Sequence, residues 1–276
     1  MLQQILQGKQ SFWNLSGCLK TFAREQLSPN FQALRRVFDR CQIAFVCTQE
    51  EFKRLDGHTS SSKVKIVPHF VESRTLSLAP EAARKRLNLD EKIVITLLGF
   101  IYRGKGHDLL IKALANLPTN YQAVFAGGLG HESFLQEVMN LAKTLGVDDR
   151  VRVTGYLSEA DQELYLAATH LAVCPFEKTS ASGSLCTWIS ANKTIMAFDL
   201  PQIAEYNRLQ PNAILTFSPY TSEALAASIQ QAISQAEDTR SIAQLHRQLE
   251  IPAVFDQHLQ HYTTVSKPVS VGTDLH

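Results

Sequence analysis

The sequence predicts an α/β fold, a parallel doubly wound sheet with helices on both faces. Three observations lead there. From about residue 41 onward, short β-branched apolar runs alternate with longer stretches of helical period. Most of the runs are apolar throughout, as strands buried on both faces are. Each helical stretch follows its strand at short range, which is the habit of βα units.

The elements follow in order. Ile43–Cys47 and Val64–Val67 read as strands ahead of Ser73–Arg86, a stretch containing Pro80 that reads as a linker opening into a helix. A domain boundary is expected near residues 72–90, because the strand pattern restarts only at Ile93. Ile93–Leu98 is the first strand of the main run, and HDLLIKALA (His107–Ala115) is its helix. Ala123–Ala126 precedes the helix Glu132–Leu145, and Val151–Thr154 precedes Glu159–Thr169, with Ser158 as its N-cap. Leu171–Cys174, Thr194–Phe198 and Ala213–Phe217 complete the strands. Residues 1–40 are helix-biased, Pro252–Val265 is a terminal helix, and Lys267–His276 is expected to be a disordered polar tail. The expected division is 1–75, 76–245 for the main domain, 246–266 for the terminal helix and 267–276 for the tail.

Composition narrows the function classes. With 27 Lys+Arg against 26 Asp+Glu and a net charge of +1, no bulk field favours nucleic acid. A hydrophobic fraction of 45% with 19% charged residues suits a soluble globular chain with a real core. No run approaches the roughly 18 apolar residues that span a bilayer, so no transmembrane segment is expected. The first residues, MLQQILQGKQSFW, show no secretory signal, and a cytoplasmic protein is expected. Five cysteines, Cys18, Cys41, Cys47, Cys174 and Cys186, lack any C-x-x-C pair and read as free thiols rather than disulfides or metal ligands.

Two stretches carry chemistry. In LGFIYRGKGHDLL (Leu98–Leu110) a buried strand breaks at Gly99 and runs through a cationic glycine-containing loop into a helix. Backbone approach at the glycines, free N–H groups at the helix start and the charge of Arg103 or Lys105 suit a phosphate. The same composition also suits an ordinary surface loop, and neither a Walker loop nor a G-x-G-x-x-G fingerprint is present. In the second stretch, Cys174–Asp199, a strand ends in a Ser/Thr/Gly-rich turn leading into an apolar helix at Leu185–Ala191. Ser182, Gly183 and Ser184 offer hydroxyls and N–H groups at the carboxyl end of a strand, where open α/β sheets bind ligands; a plain capped helix is the alternative. His69 reads as a loop imidazole satisfied by backbone, and His258 and His261, three apart with no third ligand, as a solvated helix face.

The order of these pieces resembles the nucleotide-sugar-binding half of GT-B glycosyltransferases of the family 4 type, a Rossmann-like domain. The landmarks are Val67-Pro68-His69, Gly99 through Lys105-Gly106-His107-Asp108, Gly127-Gly128-Leu129-Gly130, and Arg150 through Thr154-Gly155-Tyr156. They continue with Ala168 to Pro175, the Ser182-Gly183-Ser184-Leu185 turn, and Asp199-Leu200-Pro201 followed by Glu205. The resemblance covers about residues 41–235. It implies that Lys105 binds the diphosphate of a nucleotide-sugar donor, with no metal or other cofactor. The family's arginine after the strand-end glycine is Phe100 here, and Arg103 is the candidate substitute. The turns at Gly128 and Tyr156 would line the nucleotide, and Glu205 would stand near the sugar.

Two departures from the family pattern matter. Its pair of glutamates, one on the hexose and one on the ribose, falls on Thr179 and Thr187, leaving Glu177 as the nearest acid. The second departure is length: residues 1–72 supply only a remnant of the acceptor-side domain, so the final helix is expected to expose an apolar face. The expected function is retaining sugar transfer from a nucleotide diphosphate sugar to an unknown acceptor. The alternative is a non-catalytic donor-binding or interaction protein, or a half-enzyme whose acceptor domain comes from a partner chain.

Overall fold

The apolar run Ile93–Leu98 forms a strand because its residues are claimed by two different cores. Val94 and Leu98 pack into one, and Ile95 and Leu97 into the other. The computed structural model describes residues 36–55, 60–178, 182–235 and 238–265, which fall into two units. Residues 1–35 of the helix-biased stretch 1–40, the tail 267–276 and Thr179 lie outside the described residues.

The larger unit is Val71–Glu250. With β1 (Ala44–Val46) and β2 (Val64–Ile66) in the smaller unit, the larger unit's strands are β3 (Ile93–Leu98), β4 (Tyr121–Ala126), β5 (Val151–Val153), β6 (Leu171–Cys174), β7 (Ile195–Phe198) and β8 (Leu215–Phe217). They form one sheet in the order β5-β4-β3-β6-β7-β8, every pair parallel. The order reverses between β3 and β6. Outside the carboxyl ends of strands at such a switch point, open α/β sheets leave a crevice for ligands.

Helices cover both faces, as the near-continuous apolar strands require. With α1 (Gln49–Arg54) in the smaller unit, those of the larger unit are α2 (Pro80–Arg86), α3 (His107–Ala115), α4 (Glu132–Thr144), α5 (Glu159–Ala168), α6 (Gly183–Ser190), α7 (Pro201–Leu209), α8 (Ser222–Ser234) and α9 (Arg240–Leu249). Residues of α3, α4 and α8 pack on one face around Leu110, Phe134 and Ile229. Residues of α6, α7 and α9 pack on the other around Trp188, Tyr206 and Leu245. Buried cations finish two helix ends. Arg150 donates to the carbonyls of Leu114, Leu117 and Pro118 at 2.8 to 3.1 Å, and Lys193 Nζ to those of Ala167 and Thr169 at 3.0 Å.

The smaller unit ends at Phe70 and resumes at Ile251. Its limits follow a physical tie within the larger unit, where the Val71 N–H donates to the Leu249 carbonyl at 2.7 Å. It holds β1 (Ala44–Val46) paired parallel with β2 (Val64–Ile66), α1 (Gln49–Arg54) and the terminal helix α10 (Ile251–Val265). Thr48 caps α1 by accepting from the Glu51 N–H at 3.1 Å, while Glu51 reaches back to the Cys47 N–H at 2.8 Å. His258 and His261 are not a solvated face. Their rings pack on Phe45 with centroids 4.5 and 6.0 Å away, because the helix needs that side to bury. Ile251, Phe255 and Leu259 form an exposed apolar stripe on α10. Among the described residues, no helix is long and apolar enough to cross a membrane.

Candidate functional site

The loop after β3 is built to bring a lysine to the carboxyl end of the sheet. Tyr102 to Lys105 make one turn, closed by the Lys105 N–H donating to the Tyr102 carbonyl at 3.3 Å. Its third residue, Gly104, has φ +85°, a conformation that suits glycine. Gly106 then caps α3 at φ +81°. Its missing side chain is a second requirement, since a β-carbon there would lie 2.2 Å from the Pro175 carbonyl oxygen.

The loop after β6 meets it from the other side. The Glu177 N–H donates to the Gly104 carbonyl at 3.2 Å, and the Tyr220 hydroxyl donates to the Pro175 carbonyl at 2.9 Å. Burial, with Glu177 and Asp108 nearby, pushes the Tyr220 phenol well above its ordinary range, so it remains a donor. Ser182 caps α6 by accepting from the Leu185 N–H at 3.4 Å, and its hydroxyl lies 3.2 Å from that of Ser184. The helix therefore begins at Gly183, two residues before the expected start, because the serine cap holds the turn. A β-carbon on Gly183 would face open space.

At the meeting point, Lys105 Nζ donates to Ser184 Oγ at 3.4 Å. A β-carbon built on Gly99 would lie within 3.7 Å of that nitrogen and 3.8 Å of Ser184 Cβ. Gly99, Lys105, Ser182, Gly183 and Ser184 are thus one cluster at the switch point between β3 and β6. A cation, two hydroxyls and the opening N–H groups of a helix converge there, a combination that suits an anion.

A second group sits on the neighbouring turns. A β-carbon on Gly128 would lie 3.2 Å from the Phe100 ring and 3.7 Å from the Tyr156 ring, so the two aromatics flank the glycine. Both are exposed, Phe100 by 56% and Tyr156 by 84%. This is an apolar edge beside the cationic cluster.

The other predicted residues are placed differently. Arg103 binds Glu137 through both carboxylate oxygens, at 2.7 and 2.5 Å, and stands over the Phe134 ring at 5.1 Å. Its contacts are with α4 rather than with Ser184. The Glu177 side chain is exposed beside the two loops, and Glu205 is half-buried within α7. Thr187 donates its hydroxyl to the Gly183 carbonyl at 2.9 Å. His69 is as expected, its Nδ1 2.7 Å from the Phe70 carbonyl.

Nucleophilic thiols are not part of the arrangement. Burial pushes Cys174 up to about 12 and Cys186 up to about 11, so both stay protonated near neutrality. Burial, with the nearby Lys105 charge, lowers His107 to about 3. Its ring, wedged edge-on against Phe125 at 4.8 Å, has neither nitrogen hydrogen-bonded. It is a packing group, not an acid or base. No group of three or more His, Cys, Asp or Glu among the described residues could hold a metal ion.

Sequence reading missed three supporting residues. Phe176 and Tyr102 lie against Lys105, with ring centroids 4.0 and 5.7 Å from Nζ, and Tyr220 anchors Pro175. The position of Phe176, between the end of β6 and Glu177, was the one available signal; nothing local marks Tyr220.

The unit is thus an open parallel α/β sheet with a cation and two hydroxyls gathered at its switch point. The comparisons carry this to a family. Residues 80–248 match the family model for glycosyl transferases group 1, and the chain belongs to that family. A curated relative is the UDP-N-acetylglucosamine–N-acetylmuramyl-(pentapeptide) pyrophosphoryl-undecaprenol N-acetylglucosamine transferase of Caldicellulosiruptor saccharolyticus. It is 28% identical over 162 residues, which are 56% of this chain and 40% of that one. The chain thus spans well under half the length of that relative. Among solved structures, Anabaena HepE in complex with UDP and glucose is similar at TM-score 0.73 and 17% identity, over 88% of this chain and 69% of that one. Sucrose-phosphate synthase from Thermosynechococcus elongatus is similar at TM-score 0.72 and 18% identity, over 95% and 70%. The fold is that of the GT-B glycosyltransferases.

Proposed function

We propose that the unit Val71–Glu250 binds a nucleoside diphosphate sugar and that the chain transfers the sugar, with retention, to an acceptor. One observation carries the reading. Lys105 and Ser184, from loops far apart in sequence, meet at 3.4 Å beside the start of α6 at the sheet's switch point. Negative charge grows on the departing diphosphate in such a reaction. An ammonium and fixed N–H groups stabilise that charge without reorganising. Phe100, Gly128 and Tyr156 offer an apolar edge for the nucleoside, and Glu177 and Glu205 are the acids assigned to the sugar side.

A second reading, donor binding without turnover by this chain alone, draws on Thr187. Its hydroxyl is turned back onto its own helix, where the family resemblance implies a carboxylate.

Calorimetric titration with UDP, GDP and ADP sugars, followed by a donor-hydrolysis assay, separates the readings. Binding with release of the nucleoside diphosphate supports transfer, and binding without release supports the second reading. Absence of binding to every donor contradicts both.

A further inference from the structure

The Lys105 ammonium is held by more than a hydroxyl. The Phe176 ring centroid lies 4.0 Å from Nζ and that of Tyr102 5.7 Å, with Ser184 Oγ at 3.4 Å from the same nitrogen. A cation within about 6 Å of a ring centroid is attracted by the negative face of the ring, most strongly at short range and away from water.

The rings are fixed by the same bonds that shape the loops. Tyr102 and Lys105 are the two ends of one turn, joined by the Lys105 N–H to the Tyr102 carbonyl at 3.3 Å. Phe176 is 4% exposed and packs in the core beneath the site. Its neighbours on both sides are tied, Pro175 by Tyr220 and Glu177 by Gly104. A lysine side chain left to itself spreads its charge over many rotamers, and ordering it costs side-chain entropy on binding. A rigid ring face removes part of that cost in advance.

We propose that Phe176, helped by Tyr102, is a positioning residue that aims the Lys105 ammonium at the anionic part of the ligand. The inference rests on the reading that Lys105 binds a diphosphate. The two rings contribute unequally. Phe176 is close and buried, whereas Tyr102 is near the limit of range and 40% exposed.

The test is calorimetry with whichever of UDP, GDP and ADP the protein binds, and with the corresponding nucleoside, on the full chain. Phe176→Leu keeps an apolar side chain but removes the ring face. It is expected to weaken diphosphate binding by about threefold to thirtyfold, the range of a cation–π contact, and to leave nucleoside binding unchanged. Phe176→Tyr, which keeps the face, is expected to bind within about twofold of wild type. Tyr102→Leu, at an exposed position that tolerates change, is expected to lose about twofold and serves as the test should Phe176→Leu fail to fold. Wild-type affinity in Phe176→Leu while Lys105→Ala loses affinity overturns the inference and leaves the function reading intact. An equal loss of nucleoside and diphosphate binding in Phe176→Leu also overturns it, since that marks a merely structural role. Unchanged binding in Lys105→Ala overturns the underlying reading instead.

Discussion

Gly106 faces the Pro175 carbonyl so closely that a β-carbon on the glycine would stand 2.2 Å from the oxygen. The loop after β3 and the loop after β6 therefore touch backbone to backbone at the switch point. Gly106→Ala adds this collision to a strained φ of +81°. Because the obstacle is backbone and cannot swing away, the substitution is expected to cost about 2–4 kcal/mol. Urea unfolding measures it, and a midpoint equal to wild type contradicts the close approach.

Arg103 is expected to matter little for ligand binding. Its guanidinium is occupied by Glu137 and lies over Phe134, while Lys105 faces Ser184. Arg103→Ala should change nucleoside diphosphate affinity by less than about twofold and stability by about 0–1 kcal/mol, as for other exposed ion pairs. A loss as large as that of Lys105→Ala would return Arg103 to the anion.

Arg150 is a buried staple. It satisfies the carbonyls of Leu114, Leu117 and Pro118 behind α3, the helix that carries Lys105 at its entrance. Arg150→Met fills much of the volume but leaves three carbonyls without their donor. A loss of about 3 kcal/mol is expected, read as a lower denaturation midpoint. Unchanged stability would show that water replaces the guanidinium.

Acidification should weaken the fold through two histidines. Burial is the main cause of both shifts: it lowers His107 to about 3 and His170 to about 4, with neighbouring cations adding to each. His170 Nδ1 also accepts from the Val94 N–H at 3.0 Å, a bond that a proton on that nitrogen would break. Both rings are neutral when folded and gain protons only on unfolding below about pH 6.5. Stability is therefore unaffected above that value, falls as pH drops below it, and stops falling through these groups once they titrate in the folded protein. The slope for His107 approaches about 1.4 kcal/mol per pH unit, and the window over which the more exposed His170 contributes is narrower, because its lowered value of about 4 lies nearer its ordinary one. Denaturation midpoints at pH 7.5, 6 and 5 should show the decline. His107→Phe should flatten it, and a parallel pH dependence in that variant counts against the assignment.

The strands legible to the residue, Ile93–Leu98 and Leu171–Cys174, are those whose apolar runs end at a backbone breaker, Gly99 or Pro175. Where pairing extends past the apolar run, the sequence was silent. β4 starts at Tyr121, not Ala123, because Tyr121 and Gln122 pair with Ile93 and Val94. β8 starts at Leu215 rather than Ala213, because the Asn207 side chain clamps both backbone groups of Ile214 at 2.8 and 3.0 Å. The candidate site is legible as two loops, since glycine, lysine and serine at strand ends have local reasons to be there. What joins them is not. The Arg103–Glu137 pair spans 34 residues, and the contact of Lys105 with Ser184 spans 79. Such pairings are set by strand order, which no local pattern encodes.

The central claim is that Lys105 at the switch point holds a diphosphate. Calorimetric titration of wild type and Lys105→Ala with a nucleoside diphosphate and with its nucleoside tests it most directly. The account predicts that the variant loses about tenfold to a hundredfold in diphosphate affinity, the range of one charge-assisted contact, and binds the nucleoside as wild type does. Equal diphosphate affinity in the two proteins would contradict it.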